Sequence, residues 1–165
     1  MMGAGKSSIG RALAERTERP YVDTDLVLQR RFGRPVSQVF KIYGEEAFRG
    51  HETSVLRGLE PAPCVVSTGG GIVLREENWA EMKRLGVSVF LKVADETLAE
   101  RLSVSKKRRP LLDVEDWETR LQEIASTRGD LYAKADITVE LGAAEVADAT
   151  ERVLEALLAW EAAHP

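Results

Sequence analysis

Met1-Met2-Gly3-Ala4-Gly5-Lys6-Ser7-Ser8 opens the chain, and its reading decides the fold. Gly5, Lys6 and Ser7 take the last three fixed places of the phosphate-binding pattern G-x-x-x-x-G-K-[ST], with residues 1 to 4 in the variable ones. The first glycine of that pattern would fall one position before Met1. In such a loop, backbone N–H groups converge on phosphate oxygens, Lys6 brings positive charge to the β- and γ-phosphates, and the Ser7 hydroxyl suits Mg²⁺. Ile9, Ala12, Leu13 and Arg16 follow at helical spacing, which predicts a helix over 7–16 with its positive dipole end at the phosphates. A glycine-rich turn with a capping serine and a solvated lysine is the alternative. A helix where the motif requires one favours the nucleotide site.

With 165 residues, 44% hydrophobic and 30% charged, the chain is expected to fold as a single domain over 1–165 with a sizeable core. Its net charge of −4 disfavours a general nucleic-acid binder and points to small-molecule partners. The lone Cys64, in the apolar run Cys64-Val65-Val66, excludes an internal disulfide and reads as a buried structural thiol. A reducing, cytoplasmic setting and a monomer are the default expectations. No stretch approaches the roughly 20 apolar residues that span a membrane, and residue 1 does not begin a signal peptide. Two histidines and one cysteine make no zinc site.

Short apolar runs at Tyr21-Val22, Cys64–Ser67, Val87–Lys92 and Ile137–Glu140 read as strands. Helical patterns near 7–16, 26–32, 45–59, 76–85, 95–103, 115–129 and 144–162 separate them. Such alternation predicts an α/β fold: a parallel sheet with helices on both faces and ligands at the carboxyl ends of the strands. The residues just after the strands are therefore the informative ones. Asp23-Thr24-Asp25 follows the first; if the extended chain continues, Asp23 and Asp25 face one cleft. One then suits a site near Mg²⁺ and the other a substrate hydroxyl, whereas capping the helix near Leu26 is the alternative for either. Gly69-Gly70-Gly71 follows Ser67-Thr68, and three glycines are expected where a ligand or another segment approaches the main chain closely. A flexible surface turn is the other reading.

The ordered set Gly3-Ala4-Gly5-Lys6-Ser7, Asp23-Thr24-Asp25, Gly44-Glu45-Glu46-Ala47-Phe48-Arg49, Thr68-Gly69-Gly70-Gly71, Arg109-Pro110-Leu111-Leu112 and Arg128 with Leu131-Tyr132 resembles shikimate kinase along nearly the whole chain. The resemblance implies a P-loop kinase fold and transfer of the ATP γ-phosphoryl group to the 3-hydroxyl of shikimate, with Mg²⁺, in the chorismate branch of aromatic biosynthesis. It implies ATP contacts from Gly3, Ala4, Gly5, Lys6, Ser7 and Ser8, with Arg101 packing on the adenine. Ser7 and Asp23 would serve the metal, Asp23 through water. Asp25 would hold the shikimate hydroxyls and help orient or deprotonate the nucleophile. Arg49 and Arg128 would bind the carboxylate, Gly70 and Gly71 would lie against the ring, and Arg109 would close over the transferring phosphate. Lys6, Asp25 and Arg109 are thus the catalytic set, with substrate-binding helices over about 25–60 and a lid over about 104–115.

Physical chemistry agrees. A small polyol with one carboxylate needs guanidinium groups at one end and hydroxyl acceptors at the other. Phosphoryl transfer asks for positioning and charge stabilisation more than for a strong base. Each arginine also has a plainer reading: Arg49 as a surface ion pair with Glu52, Arg128 as a cation near a helix end, Arg101 as a partner of Glu100, and Lys106-Lys107-Arg108-Arg109 as a solvated loop. The resemblance further implies a central buried strand before the phosphate loop. About five buried apolar residues there would contribute on the order of 10 kcal/mol, so a longer amino terminus is expected of the working protein. Glu140-Leu141-Gly142-Ala143 lacks an arginine for the adenine. Another small-molecule kinase, a non-catalytic binding module and a plain ATPase or GTPase switch are the competing readings.

Overall fold

The computed structural model describes residues 1–105 and 110–165. Its elements are α1 (Lys6–Arg16), β1 (Tyr21–Asp23), α2 (Thr24–Phe32), α3 (Val36–Arg57), β2 (Val65–Ser67), α4 (Glu76–Leu85), β3 (Val89–Lys92), α5 (Asp95–Ser103), α6 (Trp117–Tyr132), β4 (Ile137–Glu140) and α7 (Val146–Ala163). Short 3-10 turns cover Ile72–Leu74 and Pro110–Leu112.

The expected parallel pairing is present. Tyr21, Val22 and Asp23 stand opposite Val65, Val66 and Ser67, and Val89 to Lys92 stand opposite Ile137 to Glu140. Among the described residues these are two separate ladders, β1–β2 and β3–β4. A cavity of about 70 Å³ lies beside β3, with Met1, Gly70, Trp79, Phe90 and Tyr132 in its wall. Helices carry the ladders as one body: α1 packs on α7, α1 also contacts β2, and α7 contacts β4. Ile9 and Leu13 of α1, Leu91 of β3, Ile137 and Val139 of β4, and Ala149 and Val153 of α7 share the main core. Removing their apolar surface from water is the principal stabilising term.

The β3–β4 ladder begins at a reciprocal clamp. Ser88 donates to Asp136 Oδ2 through its N–H (2.8 Å) and its hydroxyl (2.6 Å), and the Asp136 N–H donates back to Ser88 Oγ (3.0 Å). Partial burial opposes the Asp136 charge, but the Ser88 bonds outweigh it and hold the carboxyl below its usual range. A lowered folded-state value means stability that is present above the ordinary aspartate value of about 3.9 and lost as pH falls through the lowered one. Asp136→Ala is therefore expected to lower unfolding stability by about 1–2 kcal/mol at pH 7. The gap from the parent should narrow in urea titrations below about pH 4.

A second, smaller core belongs to α2 and α3, where Leu28, Val39, Phe48 and Val55 pack together. Spacing alone placed a helix from residue 45, but α3 already begins at Val36 and is interrupted at Gly44 (φ 79, ψ 172). Val36 and Val39 bury inward only because α2 lies alongside, a tertiary effect. Cys64 is half-buried, not buried as expected, because it sits one residue before β2 at the ladder's end. No helix of the described residues is long and apolar enough to cross a membrane.

Candidate functional site

One cleft of about 640 Å³ gathers residues from the phosphate loop, α2, α3, the triple-glycine loop, α5 and α6. At one side stand Gly3, Gly5, Lys6, Ser7 and Ser8. Gly5 caps α1 with φ 85, a left-handed conformation costly for any residue with a Cβ, and so turns the chain into the helix. The first turn of α1 carries no acidic side chain, so its positive dipole end is offered to an anion. Lys6 Nζ donates to the Met1 carbonyl at 2.6 Å. Ala4, included among the ATP contacts, is fully buried in the main core, which leaves its main chain for that role.

Asp23 ends β1 and takes four hydrogen bonds. Oδ1 accepts from the N–H groups of Asp25 (3.0 Å) and Leu26 (3.3 Å), capping α2, while Oδ2 accepts from Ser7 Oγ (3.0 Å) and Tyr21 OH (3.2 Å). The cap and the contact with the phosphate loop thus coexist in one carboxylate. The extended chain does not continue through Asp25, as one sequence reading required; helix α2 starts at Thr24 because Asp23 satisfies its first N–H groups. Asp25, in the first turn, still lines the cleft. Ser7 and Asp23 supply hard oxygen donors, and a cation that keeps most of its waters needs few protein ligands, so the pair fits Mg²⁺. Among the described residues there is no cluster of three or more His, Cys, Asp or Glu for a metal.

Across the cleft, Arg49 of α3 is only 6% exposed. Its Nη1 donates to Glu52 Oε2 (2.6 Å) and its Nη2 to Glu45 Oε1 (3.0 Å). The ion pair with Glu52 is therefore real but buried, not at the surface. The guanidinium also lies 5.5 Å from the Phe48 ring centre and 6.0 Å from that of Phe40. Burial opposes its charge, but Glu52 and Glu45 more than offset this and hold its pKa above the usual value. Burial likewise pushes the Glu52 carboxyl up; Arg49 offsets part of that, and the nearby Asp25 adds to it.

The triple-glycine loop threads between these groups. A Cβ at Gly69 would come within 2.6 Å of Glu52 Oε1 and 3.1 Å of Asp25 Oδ1, and one at Gly71 would occupy the space of the Arg49 guanidinium. The close-approach reading is correct, and the segment is not a free surface turn. Asn78 Nδ2 donates to Ile72 O (2.8 Å) and Trp79 Nε1 to Val73 O (3.2 Å), so α4 holds the loop's exit. From α6, buried Arg128 reaches Gly70 O through Nη1 (3.4 Å). Arg101 of α5 lines the cleft and donates to Ala144 O (3.2 Å), not to Glu100, and so lies against the turn that follows β4. The run Lys106-Lys107-Arg108-Arg109 lies outside the described residues; Val104 is exposed and Leu111 lines the cleft.

Glu52 was missed as a site residue: its only sequence signal is the spacing of three from Arg49, which equally describes a surface pair. Phe40 and Ser37 also line the cleft, brought there by the unanticipated first part of α3.

A family model described as shikimate kinase matches residues 2–158. The chain is 39% identical to the shikimate kinase of Prochlorococcus marinus over 158 residues, covering 95% of this chain and 82% of that one. It is 41% identical to the shikimate kinase of Neisseria meningitidis serogroup C over 142 residues, covering 85% and 83%. Among solved structures, shikimate kinase from Acinetobacter baumannii in complex with shikimate is similar, with a TM-score of 0.90 and 34% identity over 96% of this chain and 89% of that one.

Proposed function

Because the chain belongs to the shikimate kinase family, we infer that it is a kinase that phosphorylates shikimate with ATP on the route to aromatic amino acids, the acceptor being the 3-hydroxyl. The observation that carries the reading is the convergence in one cleft of the phosphate loop with Asp25, Arg49, Arg128 and the glycine loop.

The roles follow from the chemistry of each group. Main-chain N–H groups of residues 3–8 and the Lys6 ammonium hold the phosphates. Arg49 and Arg128 face the shikimate carboxylate, and Gly70 and Gly71, without side chains, admit the ring. Asp25 accepts a hydrogen bond from the 3-hydroxyl and orients its oxygen toward the γ-phosphorus. As the new P–O bond forms, the bond from phosphorus to the β–γ bridging oxygen breaks and ADP leaves; the hydroxyl proton passes to Asp25 or to solvent. Mg²⁺, near Ser7 and Asp23, would supply charge neutralisation on the phosphate oxygens. Arg101 would flank the adenine and Arg109 would add positive charge over the transferring group. Helices over about 25–60 would carry the acceptor and a lid over about 104–115 would close on both substrates. The reading includes a cytoplasmic monomer without nucleic-acid or membrane partners, supported by the acidic net charge and the single cysteine.

A coupled assay for ADP release with shikimate, gluconate and nucleoside monophosphates tests this directly. Turnover is expected with shikimate alone. Turnover with another acceptor and none with shikimate would overturn the assignment, and shikimate binding without MgATP binding in calorimetry would make the protein a binding module.

A further inference from the structure

Tyr132 has no part in the scheme above, yet it makes the shortest bond that α6 offers to the site. Its hydroxyl donates to Gly70 O at 2.6 Å, and the same carbonyl also takes the much longer bond from Arg128, one turn earlier on the helix. The ring is buried and stacks on Phe90 of β3, with centroids 5.0 Å apart and planes 10° from parallel. The hydroxyl is thus held in place from a strand, a helix and the loop at once. Burial pushes its pKa up, with Arg128 offsetting part, so it stays a neutral donor.

We propose that Tyr132 is a positioning residue for the acceptor carboxylate: its hydroxyl satisfies Gly70 O, which fixes the triple-glycine loop and leaves the Arg128 guanidinium to the ligand. Three consecutive glycines have no side chains to set their dihedrals, so external bonds must do so. Loop position matters here because Gly69 sits against Glu52 and Asp25, and Gly71 against Arg49. Without the hydroxyl, Gly70 O keeps Arg128 as its side-chain donor among the described residues, and the cation is drawn from ligand to loop. The proposal rests on the carboxylate assignment of Arg49 and Arg128.

Tyr132→Phe keeps the ring and its stack and removes the hydroxyl, with its bond to Gly70 O and its interaction with the Arg128 side chain. Titrations with shikimate, shikimate methyl ester and MgATP separate the outcomes. The variant is expected to bind shikimate about ten-fold more weakly, the factor equivalent to one net hydrogen bond. KM for shikimate should rise in parallel with kcat changed less than about two-fold, while the methyl ester and MgATP bind as to the parent. Unchanged shikimate affinity, an equal loss on acid and ester, or a parallel loss of MgATP affinity would each overturn the proposal, the last by assigning the hydroxyl to the fold. If the parent protein itself binds no shikimate, the functional reading falls too; if the parent binds it and Tyr132→Phe is unchanged, only the role of Tyr132 falls.

Discussion

Lys6→Met is expected to lower turnover by on the order of 10³-fold while shikimate affinity stays within about two-fold of the parent. Lys6 is the first residue of α1, and its Nζ is held in the loop by the Met1 carbonyl, so the ammonium is positioned before nucleotide arrives. Charge accumulates on the phosphoryl oxygens in the transition state, and a fixed cation in a partly enclosed cleft stabilises that state without reorganising. Methionine preserves length and packing but carries no charge. The groups assigned to shikimate come from α2, α3, the glycine loop and α6, so the acceptor end should not sense the change. Steady-state kinetics with calorimetry of shikimate binding provides the check. A turnover within ten-fold of the parent would show that Lys6 is not the phosphate cation.

Arg49→Ala is expected to have two large effects with separate causes. Shikimate binding should weaken by about 100-fold, the loss of one charge-assisted contact of 1.5–3 kcal/mol. Stability should also fall by about 3–5 kcal/mol, because Glu52, only 1% exposed, is left as a buried carboxylate without its counter-ion. Two arms separate these effects. Adding Glu52→Gln to Arg49→Ala removes the buried charge, so most of the stability should return while shikimate affinity stays low. Acid should act the same way on the single variant. Glu52 already titrates above its usual range, and loss of Arg49 raises it further. A raised folded-state value means stability that is full below the ordinary glutamate value of about 4.3 and lost as pH rises through the folded value. The stability gap from the parent should therefore shrink in urea titrations near pH 4 and be widest at neutral pH. An Arg49→Ala protein as stable as the parent that binds shikimate equally well would remove Arg49 from both roles.

These residues also show how much could be read in advance. The phosphate loop was legible because its chemistry is local: Gly5, Lys6 and Ser7 act through a turn and the helix that continues from it, both encoded within a dozen residues. The strands at Val65–Ser67 and Ile137–Glu140 were legible because short apolar runs bounded by turn residues have few other uses. Asp23 was read as either a helix cap or a metal-side carboxylate; one of its oxygens caps α2, and the other accepts from the hydroxyls of Ser7 and Tyr21. Arg49 could be named from its motif, but its state could not. The same spacing to Glu52 describes an exposed pair worth a few tenths of a kcal/mol or a buried one whose disruption costs several.

From its order of motifs alone, the chain declared a phosphate-binding loop, an α/β alternation and the residue types needed to hold a carboxylate and hydroxyls. These are properties of local chain geometry and side-chain chemistry. Burial, partner choice and distance were decided only by packing. The helix from Val36 forms against α2, the Arg49–Glu52 pair is sealed by Phe40, Phe48 and the glycine loop, and Gly70 O receives Tyr132 from a segment 62 residues away. Interactions of that separation depend on the whole tertiary arrangement, because no local pattern encodes which surfaces meet.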